Sequence, residues 1–152
     1  MKLLGTRFGE LDYQADDVVH FNEGMIGFAD YQDYVVVNAK EGSPYRWLQS
    51  IEEPKLAFLL SLPDSILEDY SPEISNEEAS ALGLTQETEY LVLVTTTIPP
   101  GKPAAATANL AAPVIINLET RNAKQVILED EAYTIRYPIF SGSQEGANLR
   151  AA

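Results

Sequence analysis

Among its 152 residues the chain has no cysteine, one histidine, one tryptophan and two methionines. Without cysteine there is no disulfide framework, no thiolate zinc site and no cysteine nucleophile, a composition compatible with a reducing compartment. The lone histidine, His20, is the single side chain available as the base of a hydrolytic triad. It stands between Val19 and Phe21 in an alternating stretch with no G-x-S-x-G elbow, and it is read as a structural histidine. Metal ligation falls to carboxylate groups such as Asp16-Asp17 and Glu129-Asp130-Glu131, which lack the spaced ligands and turn glycine of a calcium loop. Gly24-Met25-Ile26-Gly27 lacks the lysine and following helix of a phosphate cradle, so its glycines are assigned to turn geometry. No metal and no cofactor are expected. Apolar runs are short against the ~20 residues of a membrane span. Met1-Lys2-Leu3-Leu4 passes at once into Gly5, Thr6 and Arg7, leaving no apolar stretch for a secretory leader. A cytoplasmic protein with no membrane contact is expected.

Positive charge is also scarce. Ten Lys and Arg against 23 Asp and Glu give a net charge of −13. Such a surface repels phosphate backbones, because nucleic-acid affinity comes largely from cations that displace counterions, so direct RNA or DNA binding is not expected. The acidity is uneven. From Lys55 to Lys102 no cation intervenes, while Asp64, Glu68, Asp69, Glu73, Glu77, Glu78, Glu87 and Glu89 all fall there. Two readings fit: a solvated face that keeps the protein soluble, or a field that steers a basic partner.

What is present is enough to bury. Hydrophobic residues make up 45%, with eight Tyr and five Phe, and the length suits a single core. One domain is expected over residues 1–140, with a flexible tail over 141–152. Period-two alternation predicts strands around Leu11–Tyr13, Val18–Phe21, Tyr34–Val37, Tyr45–Ser50, Leu56–Leu62, Tyr90–Ile98, Thr107–Asn117, Gln125–Leu128 and Tyr133–Tyr137, the last two joined as a hairpin. The near-continuous apolar run at Tyr90–Ile98 fits a strand covered on both faces or set in a barrel wall. Ser75-Asn76-Glu77-Glu78 has the spacing of a capping box, so a short helix from Asn76 to Leu82 is predicted, stopped by Gly83, with a second brief turn after Pro63. Pro99 to Ala106 reads as an exposed loop. The class is mainly β: a small antiparallel β-barrel-like or sandwich domain with one or two short helices.

Two classes of function compete on these residues. Paired carboxylates, of which there is no shortage, permit a hydrolase acting on carbohydrate, a mechanism that depends on a separation no sequence provides. The aromatics that would line its groove, Tyr45 and Trp47, lie at strand-core spacing and are assigned to core packing. The alternative is a binding protein that performs no reaction.

Several ordered motifs favour the second. Thr6-Arg7-Phe8-Gly9 is followed by Phe21-Asn22-Glu23-Gly24-Met25-Ile26-Gly27-Phe28, by Trp47-Leu48-Gln49-Ser50 and by Pro54-Lys55-Leu56-Ala57-Phe58. Asp69-Tyr70, the run from Thr107 to Asn117, and Gln125-Val126-Ile127-Leu128 before Tyr133 complete the series. In this order and spacing, from Thr6 to Phe140, the chain resembles the FliW family. The resemblance implies a β-barrel-like domain, no catalysis, and two protein partners: flagellin and the RNA-binding translational repressor CsrA. It implies a partner switch, in which export of flagellin frees the protein to capture CsrA and relieve repression of flagellin translation. Composition at strand ends and in the acidic segment nominates Gln49, Ser50, Glu52, Glu68, Asp69, Tyr70, Glu73, Glu77 and Glu78 as partner-binding residues.

Overall fold

The computed structural model describes residues 1–38 and 41–140; the tail expected over 141–152 lies outside the described residues. Among the described residues eleven strands and one α-helix succeed one another. β1 (Lys2–Thr6) and β2 (Gly9–Asp12) form a separate hairpin, in register at Leu3 and Leu11. β3 (Val18–Phe21), β4 (Asp33–Asn38), β5 (Tyr45–Ser50) and β6 (Ala57–Ser61) follow as an antiparallel meander. β6 pairs with β7 (Tyr90–Thr97) after a long connection that contains α1 (Asn76–Ala81). β8 (Thr107–Ala108) lies against the end of β7, β9 (Val114–Asn117) along its start, and β10 (Asn122–Gln125) beside β9. β11 (Tyr137–Pro138) pairs with β8.

The ring closes between β10 and β3, which pair in parallel at Asn122↔His20 and Ala123↔Phe21. Seven strands, β3 to β7 with β9 and β10, thus form a closed barrel, which decides between the barrel and the sandwich and removes free edges from the ring. Alternate residues fill its interior: Val19, Phe21, Tyr34, Leu48, Leu60, Leu93, Val114, Ile116 and Ala123, with Met25 contributed by a loop. The middle of β7 is covered on both faces, as its near-continuous apolar run predicts. Leu93 points into the barrel, while outside Val92 packs with Leu82, Ile115 and Val126, and Val94 with Ala108 and Leu110.

Several expectations need correction. Thr107–Asn117 is not one strand, because Asn109 Oδ1 accepts the amides of Ala111 and Ala112 at 3.0 and 3.1 Å and folds the chain over before Pro113, which has no N–H to donate. The strand expected at Gln125–Leu128 lies earlier, and its hairpin with Tyr133–Tyr137 does not form: Tyr137 pairs with Ala108 instead. Tyr45 and Trp47 do share a face, but it is the outer one, since Leu48, the next residue after Trp47, fills the barrel. Trp47 is covered by the first hairpin, with the Phe8 ring edge-on at 5.6 Å and the Arg7 guanidinium 4.1 Å from its ring centre.

The helix is built as its residues suggest, with one change. Ser75 Oγ accepts the Glu78 amide at 3.1 Å, but the Glu78 carboxylate turns to Lys124 and not back to the Ser75 amide. Gly83 ends the helix at φ +70°, and the Leu84 amide reaches the Ala79 carbonyl at 2.8 Å. Buried Asn117 then ties this end to the barrel, donating to the Leu82 carbonyl at 2.8 Å.

Candidate functional site

The nominated residues fall in three places. Gln49 and Ser50 are fully buried, so neither has side-chain surface to offer a partner. Gln49 Nε2 donates to the carbonyls of Ser50 and Pro54, and Ser50 Oγ accepts the Glu53 amide, which shapes the turn leaving β5. Glu52 is exposed, yet one carboxylate oxygen already accepts the amides of Gln32 and Asp33 at 2.6 and 2.9 Å. This trio is a structural clamp between the β5–β6 turn and the start of β4.

Glu68 and Asp69 are exposed on the connection after the 3-10 turn at Pro63–Ser65. Tyr70, nominated as an exposed aromatic, is half-buried instead. Its hydroxyl donates to the Leu110 carbonyl at 2.6 Å and its ring meets Tyr133 edge-on at 4.7 Å. Burial, with a smaller effect of Tyr133, pushes its phenol well above the ordinary tyrosine range. Tyr70 therefore anchors the acidic connection to the barrel.

Glu73 and Glu77 are exposed on either side of the helix cap, while Glu78 is half-buried. Lys124 Nζ lies 2.7 Å from Glu78 and 3.3 Å from Glu23. The hydrogen bond to Glu78 raises the Lys124 pKa; burial opposes this and Glu23 adds to it. Glu78 is thus engaged by an ammonium group and is not a free acid facing another carboxylate.

Between the Glu73–Glu78 segment and the chain running on from β10 lies an open groove of roughly 940 Å³. Ile74, Val126 and Leu128 belong to the apolar cluster beneath the helix. Ile26 and Ile127 also line the groove and are 52% and 71% exposed, which leaves apolar surface bare inside an acidic rim. Six carboxylates, those of Glu23, Glu73, Glu77, Glu78, Glu129 and Asp130, face one cation, Lys124. Sequence reasoning reached Glu73, Glu77 and Glu78 but missed Glu23, Ile26 and Ile127. The available signal was Ile127, an apolar residue out of phase with Val126 and Leu128.

Elsewhere, His20 Nδ1 lies 2.7 Å from Asp33 Oδ1 on the outer surface, a local pairing between neighbouring strands. Among the described residues no three His, Asp or Glu side chains converge to hold a metal, and no helix is long and apolar enough to cross a membrane.

Comparison with known proteins bears on what such a barrel does. A family model described as FliW protein matches residues 2–139. The flagellar assembly factor FliW of Natranaerobius thermophilus is 34% identical over 152 residues, covering 100% of this chain and 99% of that protein. That of Bdellovibrio bacteriovorus is 36% identical over 140 residues, covering 92% of this chain and 79% of its own. A crystal structure of the flagellar assembly factor FliW superposes with a TM-score of 0.85 at 29% identity, over 92% of this chain and 97% of that one.

Proposed function

The chain belongs to the FliW family, whose members are named as assembly factors and not as enzymes, and from that premise we propose that it binds flagellin and the translational regulator CsrA in alternation. Flagellin, while it accumulates, occupies the protein. Once flagellin is exported, the freed protein captures CsrA and lifts its repression of flagellin translation. Such a switch requires only that the two partners draw on one pool, so the level of the first sets how much remains for the second. Both partners are met in the cytoplasm, which is where the protein acts on this reading.

The observation that carries the proposal is the exposure of Glu68, Asp69, Glu73 and Glu77 along one cation-free segment of a chain of net charge −13. Docked on an RNA-binding protein, that segment brings negative charge toward the RNA path and repels the phosphates. The direct test is titration against flagellin and CsrA, separately and in competition. Neutralising Glu68, Asp69, Glu73 and Glu77 to their amides should raise the inhibition constant for CsrA–RNA binding about tenfold while leaving the unfolding midpoint in place. Glu78 is left out because its carboxylate holds Lys124. An unchanged inhibition constant refutes the electrostatic part of the reading.

A further inference from the structure

The groove contains a feature that acidity alone does not explain. The amides of Val126 and Leu128 donate to the Pro113 and Ala111 carbonyls, each at 2.8 Å, so the chain after β10 stays paired on that side. Antiparallel pairing alternates, and the N–H and C=O of Ile127 therefore point the other way. There β3 no longer accompanies the strand: the parallel pairing ends at Ala123↔Phe21, and the chain turns off through Gly24 at φ +69°. Among the described residues neither main-chain group of Ile127 has a backbone partner. Although the ring itself is closed, the chain that continues past the end of β10 at Gln125 presents a bare main-chain edge at Ile127. Beside it stands Ile26, whose amide is held by Gln125 Oε1 at 3.0 Å.

We propose that this edge accepts an extended, cationic segment of a partner protein, added as a strand along Gln125–Glu129. This rests on the reading of the chain as a protein-binding factor. An extended segment supplies the missing main-chain hydrogen bonds, whereas a docked helix satisfies its own backbone and leaves Ile127 bare. Strand geometry sends successive side chains to opposite faces, so alternation of apolar and basic residues fits. The apolar set covers Ile26 and Ile127, and Lys or Arg meets Glu73, Glu77 and Glu129. A second copy of this chain is a poor occupant, since its net charge of −13 would approach a rim of six carboxylates and one ammonium.

The probe is a dye-labelled, end-capped octapeptide of alternating Lys and Val, titrated with the full chain and followed by fluorescence anisotropy. Binding should weaken about tenfold when Glu73, Glu77 and Glu129 are changed together to Gln. It should weaken at least as much when the four central amides of the peptide are N-methylated, a change that leaves the protein untouched. Equal affinity for the N-methylated peptide, or for the triple variant, overturns the proposal. So does concentration-dependent dimerisation of the unliganded chain that Ile127→Asp abolishes, because the edge would then be occupied by a second copy. Flagellin and CsrA are titrated against the unaltered chain and against the same variant. If the peptide behaves as expected and neither protein binds the unaltered chain, the groove stands and the flagellar reading falls; if both proteins bind the two chains alike and the peptide fails, the reverse holds.

Discussion

Gly24 gives a prediction whose size follows from its surroundings. Its φ of +69° lies in the left-handed region, and a Cβ there would stand 2.7 Å from both the Ala29 Cα and the Phe28 carbonyl oxygen. Both are backbone atoms, which no rotamer change can move aside. Gly27, three positions on, has φ +87° but nothing within 4 Å of the same point. Gly27→Ala therefore meets only the conformational penalty, about 1–2 kcal/mol. Gly24→Ala adds a clash of the overpacking kind, about 1–3 kcal/mol more, for a total of roughly 2–5 kcal/mol. Urea unfolding read by far-ultraviolet circular dichroism measures both variants under one set of conditions. Trp47 fluorescence reports the docked hairpin separately and should not differ between them before the transition. If the two variants lose the same stability, within about 0.5 kcal/mol, the close approach of the 24–29 loop is wrong, and so is the position it gives Glu23 and Ile26 in the groove.

Tyr34 is fully buried, its hydroxyl has no hydrogen-bond partner, and burial, then Glu52 and Tyr31, pushes its pKa up to about 12. The unfolded chain loses this proton near pH ~10 and the folded chain keeps it, so stability is untouched below that pH and falls by on the order of 2–3 kcal/mol toward pH ~12. Tyr34→Phe should remove that alkaline slope and add about 1 kcal/mol at neutral pH in urea titrations; a loss of stability would place a bonded partner at the hydroxyl. Lys124→Met strands the half-buried Glu78 carboxylate and should cost about 1–3 kcal/mol, most of it recovered in Lys124→Met/Glu78→Gln, as a double-mutant cycle would read. Because the Lys124 pKa is raised, the stability it contributes is complete below the ordinary lysine range and disappears as pH climbs through the folded value. Asn117→Ala removes the bond to Leu82 and the acceptor for the Glu119 and Thr120 amides, and should cost about 2–4 kcal/mol with early loss of helix signal on heating.

Much of this was legible because local chemistry and tertiary structure agree. Tyr45–Ser50 is bounded by turns that its neighbours encode, and the helix begins at the serine whose spacing to Glu78 announces it. The doubly covered middle of β7, Leu91 to Val94, was readable from composition, since four apolar residues in a row leave no polar side chain for a wet face. What failed did so for physical reasons. Gln49 and Ser50 were nominated because they are polar and close a strand, but the turn supplies carbonyls to Gln49 Nε2 and an amide to Ser50 Oγ that hold both side chains in the interior. Period two cannot say which face is inside when a hairpin covers the outside, which is why Trp47 was misassigned. The groove was the least legible feature. Its walls come from residues 23–26, 73–78 and 124–130, and only the closure of the barrel brings them together.

That closure has a consequence for how the molecule comes into being. The rung that closes the ring joins His20 to Asn122, so a chain emerging from the ribosome in order must reach β10 before β3, already paired with β4, finds its second neighbour. Until then the meander is an unfinished sheet with a sticky border, at risk of pairing with whatever strand is nearest. Folding should accordingly be slow for the size of the protein and all-or-none, and C-terminal truncation ahead of Gln125 should yield aggregates and not a smaller working unit.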